Sequence, residues 1–561
     1  MTPCQPTEAA PDCQGPFRWD RSQTVALLEE TLDPEAPSSL RCFAAQHELP
    51  PSTLRHWKRR KGRLDAPEPV RDFFESKAGL DFLQRLVLAA HRHFHQSGAC
   101  GIRPLTAFFR DAGRAPFLAC SFGPQQRLAR ALQGLLIHYG REQSAKLAAT
   151  MPRRKITLCE DENFHHGPPC LVAVEPVSNF ILLEARSAKR DADSWDKAVG
   201  QALQGLPVGV VQGTSDEAKG ILAHVRDGLG AHHSPDLMHL QQDLHQATSL
   251  PLQTQVKRAQ EEALQAEYRA FLAAYAKVHW ENGPRRGRPP ALAAQLEPRK
   301  EEMRQAKQEV VRCEQSQQQV KQAIRGLGDD YHPFDAATGE ALQPEALRTR
   351  LEGRLEVVEK EAEKAGVSDA CEKKIRRVRK LLPQLVATLA WFWLQVRALG
   401  VEQGWSEGRQ ELLRGPVLAW AYWEQASRRG RDAAHKRRLR ELAGRCRVRV
   451  EASAEWQGLS EQQRQRMEGL ARECAGRWVR SSSCVEGRNG YLSLRHHGRR
   501  GLTAKELAVL TVLHNYGIVR PDATTAAERF FGQKPDDLFT WLRQRCPDLP
   551  RPAQPRRKKA A

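Results

Sequence analysis

The sequence predicts a multidomain α/β protein, with a helical N-terminal region that contains a helix-turn-helix and an α/β core that a large all-α segment interrupts. Two runs of strand length, rich in β-branched or apolar residues, end at Asp161 and Asp216. A third acid, Glu486, stands alone among basic and hydroxyl residues in a segment with a helical pattern. The 270-residue step from Asp216 to Glu486 is far too long for a loop between neighbouring elements, so it requires an inserted domain.

The N-terminal part is predicted to be helical and to bind DNA. Residues 1–17 are rich in Pro, Gln and Glu, which predicts disorder, and the pattern becomes helical from Trp19. Residues 39–61 predict a helix, a tight turn and a second helix with Ser52 as its N-cap. This second helix suits a recognition helix in a major groove, although a basic amphipathic helix that contacts only the DNA backbone is an alternative. The residues assigned to DNA here are Ser52, Arg55, His56, Lys58, Arg59, Arg60 and Lys61.

A second helical unit is predicted from about residue 70 to residue 148, and residues 101–113 could begin another DNA-binding motif. Between Asp161 and Asp216, residues 171–184 predict two strands joined by a Pro-Val-Ser-Asn turn. Residues 218–229 predict a helix. The resulting order of strand, hairpin, helix, strand and helix is the order that an RNase H-like α/β domain would have.

Asp161, Asp216 and Glu486 together form a candidate catalytic and metal-binding set. Phosphodiester cleavage commonly uses two divalent cations, and Mg²⁺ and Mn²⁺ prefer carboxylate oxygens. Each acid also has a structural alternative. Strand alternation places Glu160 and Glu162 on the opposite face from Asp161, but the ligand could be misassigned by one position. Asp216 could cap the next helix, and Glu486 could be a first-turn acid that complements a helix dipole.

The contexts of these acids resemble those of the bacterial insertion-sequence transposases of the Asp-Asp-Glu type. The resemblance covers residues 155–245 and 475–531, together with the general plan of the rest. The matching segments are Cys-Glu-Asp161-Glu-Asn-Phe, Thr-Ser-Asp216-Glu-Ala-Lys-Gly, Asp236-Leu-Met-His239 and Ser-Ser-Ser-Cys-Val-Glu486-Gly-Arg-Asn-Gly.

The resemblance implies a DNA transposase that binds element ends, nicks a strand by hydrolysis and then transfers the freed 3′-hydroxyl to target DNA. Asp161, Asp216 and Glu486 would hold two Mg²⁺ or Mn²⁺ ions per active site. The implied partners are double-stranded transposon ends and target DNA, and the implied assembly is a homodimer or a higher multimer on DNA. Residues expected to orient an acid or contact a phosphate are Asp236, His239, Arg488, Asn489 and Arg495.

Composition fits a nucleic-acid partner. The chain has 87 Lys and Arg against 67 Asp and Glu, a net charge of +20 and an isoelectric point near 9.6. The most apolar run, residues 381–399, is interrupted by polar residues and a proline, and no signal-peptide pattern is present. None of the thirteen cysteines forms a Cys-x-x-Cys pair, and Cys159 and Cys484 are interpreted as packing residues. These features predict a bacterial cytoplasmic protein associated with the nucleoid.

The insertion is predicted to be helical and partly coiled coil over residues 253–325 and 344–400, with a turn-rich connector over residues 326–335. A Gly-Pro-Arg-Arg-Gly-Arg-Pro-Pro run at residues 283–290 could lie along DNA or be a solvated loop. The cations assigned to DNA in this run are Arg285, Arg286 and Arg288. Five late tryptophans predict a core, or a stack on an unpaired base: Trp391, Trp393, Trp405, Trp420 and Trp423.

After Glu486, residues 502–516 predict another helix, and residues 526–532 precede a short C-terminal helical segment. Two other functions remain open: an RNase H-like metal-dependent nuclease without strand transfer, and a non-catalytic DNA-binding regulator. The predicted domains are a disordered N-terminus (1–17), a helix-turn-helix (18–66), a second helical domain (67–152), the two parts of the core (153–247 and 475–546), the insertion (248–474) and a basic tail (547–561).

Overall fold

The computed structural model describes residues 20–37, 39–164, 167–284, 287, 291–430, 432–499 and 501–552. The predictions for residues 1–17, for Arg285, Arg286 and Arg288, and for the tail from residue 553 lie outside these residues. The chain divides into two compact units, Met1–Met151 with Tyr491–Ala561, and Pro152–Gly490. The described part is mostly helical and contains one small mixed sheet, so the coarse prediction of a multidomain α/β protein is confirmed.

The N-terminal part of the first unit is entirely helical in the residues described, as predicted. A π-helical segment, His91–Ser97, follows its fifth helix directly. The helices are α1 Arg21–Glu30, α2 Leu40–Gln46, α3 Pro51–Gly62, α4 Glu68–Phe74, α5 Lys77–Ala90, α6 Ile102–Asp111 and α7 Phe122–Ala148.

The predicted helix, turn and helix over residues 39–61 is confirmed as α2 and α3. Ser39 caps α2 by accepting a hydrogen bond from the Cys42 amide at 3.1 Å. The prediction that Ser52 caps α3 is wrong, because the helix begins at Pro51 and has no side-chain cap. Proline suits the first helical position, since its φ is already helical and its missing N–H would have no partner there.

The second unit contains the sheet. Its elements are β1 Arg154–Asn163, β2 Cys170–Glu175, β3 Phe180–Arg186, α8 Ala192–Leu203, β4 Val208–Ser215, α9 Lys219–Ala223 with a π-helical continuation His224–Gly228, and β5 His232–Pro235. The strand order is β3-β2-β1-β4-β5. β2 is antiparallel to both β1 and β3, whereas β4 is parallel to both β1 and β5. The carboxyl ends of β1 and β4 therefore lie at the same edge of the sheet.

The strands β1 to β4 and the helix after β4 confirm the sequence predictions. Asn179 in the hairpin turn has φ 63°, a left-handed conformation that asparagine tolerates well. Apolar side chains of the sheet, including Ile156 and Leu158, pack against Trp195 of α8 and Val225. The sequence did not predict β5, because a four-residue strand that begins with two histidines has no alternating pattern.

A large helical region follows β5, and the prediction of helices over residues 253–325 and 344–400 is confirmed. A π-helical turn, Leu413–Val417, lies within it. The helices are α10 Leu237–Asn282, α11 Leu292–Asp330, α12 Pro344–Lys364, α13 Asp369–Glu402, α14 Glu407–Leu412, α15 Leu418–Arg428, α16 Ala433–Glu451, α17 Ala454–Gln457, α18 Glu461–Arg477 and α19 Ser483–Arg499.

The helices α10 and α11 form a long antiparallel hairpin. Ion pairs cross it from Arg269 to Glu302 at 2.5 Å and from Lys307 to Glu267 at 2.9 Å. The prediction that a connector begins at Gly326 is wrong, because α11 continues to Asp330. Gly326 is buried against the Arg354 side chain, so the glycine serves close packing rather than a turn. The predicted domain boundaries at residues 248 and 474 fall inside α10 and α18, both of which are continuous.

The tryptophans of the insertion belong to its core or pack against it. Trp423 is fully buried, and Trp391, Trp393, Trp405 and Trp420 are partly buried against the same cluster. Trp393 Nε1 donates a hydrogen bond to the Leu342 carbonyl at 3.0 Å. These contacts agree with the core interpretation.

Helix α13 is long and apolar enough to cross a membrane by length and composition alone. Its most apolar window is 44% buried within the protein, and residues such as Leu385, Leu389 and Phe392 belong to the helical core. One face of α13 therefore contributes to the helical core of the second unit.

The first unit ends with three helices, α20 Ala504–Val512, which continues as the π-helical segment Leu513–Gly517, α21 Ala526–Phe531 and α22 Leu538–Arg545. They confirm the helix predicted over residues 502–516 and the short helical segment predicted after residue 532, whereas α21 was not predicted. Gly532 follows α21 with φ 70°, the left-handed conformation that commonly ends a helix. Asp536, between α21 and α22, pairs with Lys146 of α7 at 2.8 Å.

Candidate active site

Asp161 lies on β1 and faces away from its two acidic neighbours, as strand alternation predicts. Glu160 is fully buried, with Oε1 3.4 Å from Nε2 of His224, and Glu162 pairs with Arg190 at 2.8 Å. On the other face, Asp161 Oδ2 accepts a hydrogen bond from Asn489 Nδ2 at 2.9 Å. Glu160 and Glu162 therefore both make their contacts on the face of the sheet that is covered by α8 and the π-helical segment His224–Gly228.

Asn489 is fixed by a second amide. Its Oδ1 accepts a hydrogen bond from Asn163 Nδ2 at 3.1 Å, and Asn163 is the last residue of β1. The side chain of Asn489 therefore joins helix α19 to the strand that presents Asp161. Asn163 was not predicted as a site residue, although it stands in the matching segment two residues after Asp161.

Asp216 directly follows β4. Its Oδ1 accepts a hydrogen bond from the Ala218 amide at 3.1 Å, which closes a turn, and its carbonyl accepts one from Arg377 Nη2 at 3.0 Å. Glu217 between them has φ 69°. Asp216 does not cap α9, whose N-cap position is held by Ala218, so the capping alternative is not observed.

Glu486 occupies the first turn of α19. Its side chain is 41% exposed, and its Oε1 lies 3.5 Å from His239 Nε2. The predicted helix after the third acid is therefore present. Its first turn faces the histidine of the Asp-x-x-His segment.

Asp236 and His239 link three segments of the second unit. Asp236 caps α10 by accepting a hydrogen bond from the Met238 amide at 2.7 Å, and its other oxygen accepts one from the Ser482 amide at 2.9 Å. His239 Nδ1 lies 3.0 Å from that second oxygen as an ion pair. Ser482 also donates its hydroxyl hydrogen to Asp236. It was not predicted, although it belongs to the Ser-Ser-Ser run just before Glu486.

The electrostatics show that these acids share one neighbourhood. Burial, together with the negative charges of Glu486 and Asp216, raises the pKa of Asp161 to about 7, against the opposing effects of the Glu162 amide and His239. The Asp236 carboxylate, followed by Asp216 and Asp161, raises the pKa of His239 to about 9 against the effect of burial. Burial raises the pKa of Asp236, but the contacts with His239 and Ser482 outweigh it and hold that pKa below its usual value.

Two predicted phosphate contacts are engaged elsewhere. Arg488 is buried and makes a bidentate ion pair with Glu184 of β3, at 2.7 and 2.6 Å. Because this pair is buried, it is not the surface salt bridge that was the alternative. Arg495 belongs to the first unit and is also buried, with Nη1 donating to the Gln96 carbonyl at 3.1 Å.

Cys159 and Cys484 stand two residues before Asp161 and Glu486, and the Cys159 thiol donates to the Ser481 carbonyl at 3.7 Å. The Cys484 thiol and burial raise the pKa of Cys159 well above its usual value. Cys159 is fully buried and Cys484 partly so, as expected of packing residues.

Within the described residues, no three His, Cys, Asp or Glu side chains form a ready-made metal-ligand group. The donor chemistry nevertheless fits a hard divalent cation, because Asp161, Asp216 and Glu486 offer carboxylate oxygens to one neighbourhood. A bound cation would lower the pKa of Asp161 and offset the repulsion among the three charges.

The predicted DNA-binding helix α3 has two distinct faces. Leu54 and Trp57 pack into the small core of α1 to α3. Two cations are half-buried: Lys61 pairs with Asp72 at 2.9 Å, and burial lowers the pKa of Arg60. The assigned residues that are exposed are Ser52, Arg55, His56, Lys58 and Arg59.

One family model matches the chain, at residues 413–559, and its description is "Family of unknown function (DUF6399)". The matched residues include Glu486 and Asn489 but neither Asp161 nor Asp216. No curated protein and no solved structure matches the chain.

Proposed function

We propose that this protein is a DNA transposase of the Asp-Asp-Glu type, which binds transposon ends and catalyses phosphodiester hydrolysis and strand transfer. The order β1, hairpin, α8, β4, α9 is the order expected of an RNase H-like domain. In such a domain the acids would stand at the carboxyl ends of neighbouring parallel strands, as Asp161 and Asp216 do. The region from α10 to α18 would then be a helical insertion before the third acid, and the protein would act on DNA in the bacterial cytoplasm.

The observation that supports this function best is the accumulation of negative charge around Asp161. Three carboxylates come from β1, from the end of β4 and from the start of α19, and two of them raise the pKa of the third. Like charges held together in a partly buried place lower the stability of the fold. Binding of a cation would offset this loss of stability, which gives a physical reason for the arrangement.

Asp161, Asp216 and Glu486 would hold two Mg²⁺ or Mn²⁺ ions, which would activate the attacking oxygen and stabilise the leaving oxygen. Asn489 holds Asp161 through the 2.9 Å hydrogen bond. The His239 cation lies between Asp236 and Glu486, so it orients Glu486 and neutralises part of the charge before substrate binds.

The exposed cations of α3 favour a DNA-binding role for the N-terminal helices. Arg55, Lys58 and Arg59 share the solvent side of a helix whose other side is anchored by Leu54 and Trp57. Such a helix presents its charges to phosphates from a rigid support.

The function is tested by metal-dependent cleavage of supercoiled plasmid that carries the DNA flanking the protein's own coding sequence. Wild type is compared with Glu486→Gln, and Glu363→Gln, at an exposed position on α12, is the matched control. We expect nicking and strand transfer in Mg²⁺ or Mn²⁺ for wild type and the control. We expect loss of both activities, with DNA binding intact, for Glu486→Gln.

The other outcomes separate the alternatives. Equal cleavage by wild type and Glu486→Gln would remove Glu486 from the site. Cleavage without transfer products would favour a nuclease. Tight, metal-independent DNA binding with no cleavage by any of the proteins would favour a regulator.

A further inference from the structure

The outward side of α10, in the second half of the α10–α11 hairpin, has an exposed apolar row, here called the outer stripe. Its large side chains are well exposed, from 53% for Val278 to 68% for Leu264. Leu272, 45% exposed, lies beside them. The outer stripe consists of Leu264, Tyr268, Phe271, Tyr275 and Val278.

The spacing of the outer stripe is that of a coiled-coil seam. Its members follow one another at steps of four, three, four and three residues, the alternation that keeps one row of side chains facing a partner helix. From Leu252 onward, the residues that α10 buries against its neighbours follow the same alternation, but they are shifted around the helix and are mostly small. They are Leu252, Val256, Ala259, Ala263, Ala266 and Ala270. α10 thus has two seams, and the intramolecular hairpin uses the one with alanines.

The outer stripe lacks the charges that a nucleic-acid surface would need. The positions that would flank it in a paired coil are Gln265, Glu267, Leu272, Ala274 and His279. Glu267 is already paired with Lys307 of α11. Arg269, the nearest arginine, is paired with Glu302. Phosphate binding is therefore a poor match, whereas apolar packing is a good one.

We propose that the outer stripe is a self-association surface, on which the same stripe of a second copy of this chain packs. A short heptad seam is self-complementary under twofold symmetry, so one surface can serve both partners. The flanking positions would bring no like-charged arginines or lysines together, despite the net charge of +20. A shallow groove lined by Leu264, Gln265, Tyr268 and Arg269 offers a hole for an aromatic side chain of the second copy.

This proposal concerns assembly and does not depend on the proposed chemistry. The test is the mass of the full, nuclease-treated chain as a function of concentration, measured by sedimentation equilibrium. We expect a monomer–dimer equilibrium for wild type. Phe271→Glu should raise its Kd roughly 100-fold, because each dimer contains two copies of a change at a central aromatic contact.

The controls separate pairing from misfolding. Phe271→Leu keeps an apolar side chain in the seam and should preserve the dimer. Val448→Glu changes another exposed apolar residue, on α16, and should leave the Kd unchanged. Circular dichroism of Phe271→Glu should match wild type, since position 271 is exposed and α10 buries its other side.

A chain that stays monomeric at every concentration would overturn the proposal and point to a different partner for the stripe. A dimer that survives both Phe271→Glu and Tyr275→Glu would place the contact elsewhere and overturn it too. If Val448→Glu weakened the dimer as much as Phe271→Glu does, the association would be non-specific apolar contact, and the proposal would be overturned. A dimer that exists only before nuclease treatment would be bridged by nucleic acid.

Discussion

Asn489 is the side chain of α19 that holds Asp161 in place. Its amide donates to Asp161 and accepts from Asn163, so one side chain fixes both the carboxylate and the end of its strand. An amide suits this place better than an acid or a cation. It can donate to a carboxylate and accept from a second amide without adding charge.

Asn489→Ala is expected to lower metal-dependent cleavage by about 10- to 100-fold while DNA binding is retained, because partners of a ligating carboxylate affect activity on this scale. Initial cleavage rates and a DNA-binding isotherm measure the two effects. Gln465→Ala on α18 removes an exposed amide that bonds Glu461 of the same helix, and it should have no effect. Full activity in Asn489→Ala would reduce the contact with Asp161 to a structural one.

The sequence could indicate the acids but not their partners. The strand pattern ending at Asp161 and the turn after Asp216 follow from local alternation and composition, which a single sequence shows. The contact between Asn489 and Asp161 joins residues 328 positions apart. The one between Ser482 and Asp236 joins residues 246 apart, and no local pattern records either. The ion pair of Arg488 could not be predicted for the same reason, because its partner Glu184 is 304 positions away.

At the scale of elements, close packing between helices sets a strict limit at Gly140. This glycine of α7 faces Val512 of α20, and a Cβ at position 140 would lie 2.6 Å from Val512 Cγ2. Valine is stiff at χ1, so it cannot move aside at low cost. Gly134, on the same helix, has no heavy atom within 4 Å of the equivalent Cβ position.

Gly140→Ala should therefore destabilise the protein by about 1 to 3 kcal/mol, less the gain in helix propensity. Gly134→Ala should stabilise it by up to about 1 kcal/mol through that propensity alone. Urea unfolding followed by circular dichroism compares the two. If both variants stabilised the protein, α7 and α20 would be able to separate without cost.

Helices were predicted better than strands because the helical period extends over long segments. The pattern of α10 to α13 repeats over dozens of residues, and the helical stretches predicted over 253–325 and 344–400 were confirmed, although α10 begins earlier, at Leu237, and α11 ends later, at Asp330. The error at the end of α11 came from reading Gly326 as a turn signal, whereas its small size makes room for Arg354. β5 lacked any pattern because both its faces are covered and its histidines are buried or half-buried.

At the scale of the whole molecule, buried neutral histidines set its response to acid. Burial lowers the pKa of His91 and of His232 to about 4, and that of His233 to about 3. An unfolded chain takes up these protons near pH 6.5, before the folded protein does. Their contribution to the free energy of unfolding is therefore fully present above about pH 6.5 and is lost as the pH falls toward 4.

His91 alone is expected to remove about 3 kcal/mol of stability between pH 6.5 and pH 4, since one pKa unit corresponds to about 1.4 kcal/mol. His91→Gln should retain a hydrogen bond to Gln125 and weaken this pH dependence. Urea midpoints across this pH range measure the slope. His245→Gln, at an exposed position, is the control. An unchanged slope in His91→Gln would mean that His91 is protonated in the folded protein.

The distance along the chain between Asp161 and Asn489 also has a consequence for biosynthesis. The five strands found among the described residues lie between residues 154 and 235, so the sheet can form while much of the chain is still on the ribosome. The last acid and the amide that holds the first one emerge only after the whole helical region. A nascent or truncated chain can therefore have a folded sheet and the small core of α1 to α3 without a complete set of acids. Under the proposed function, such fragments would bind the same DNA without cutting it.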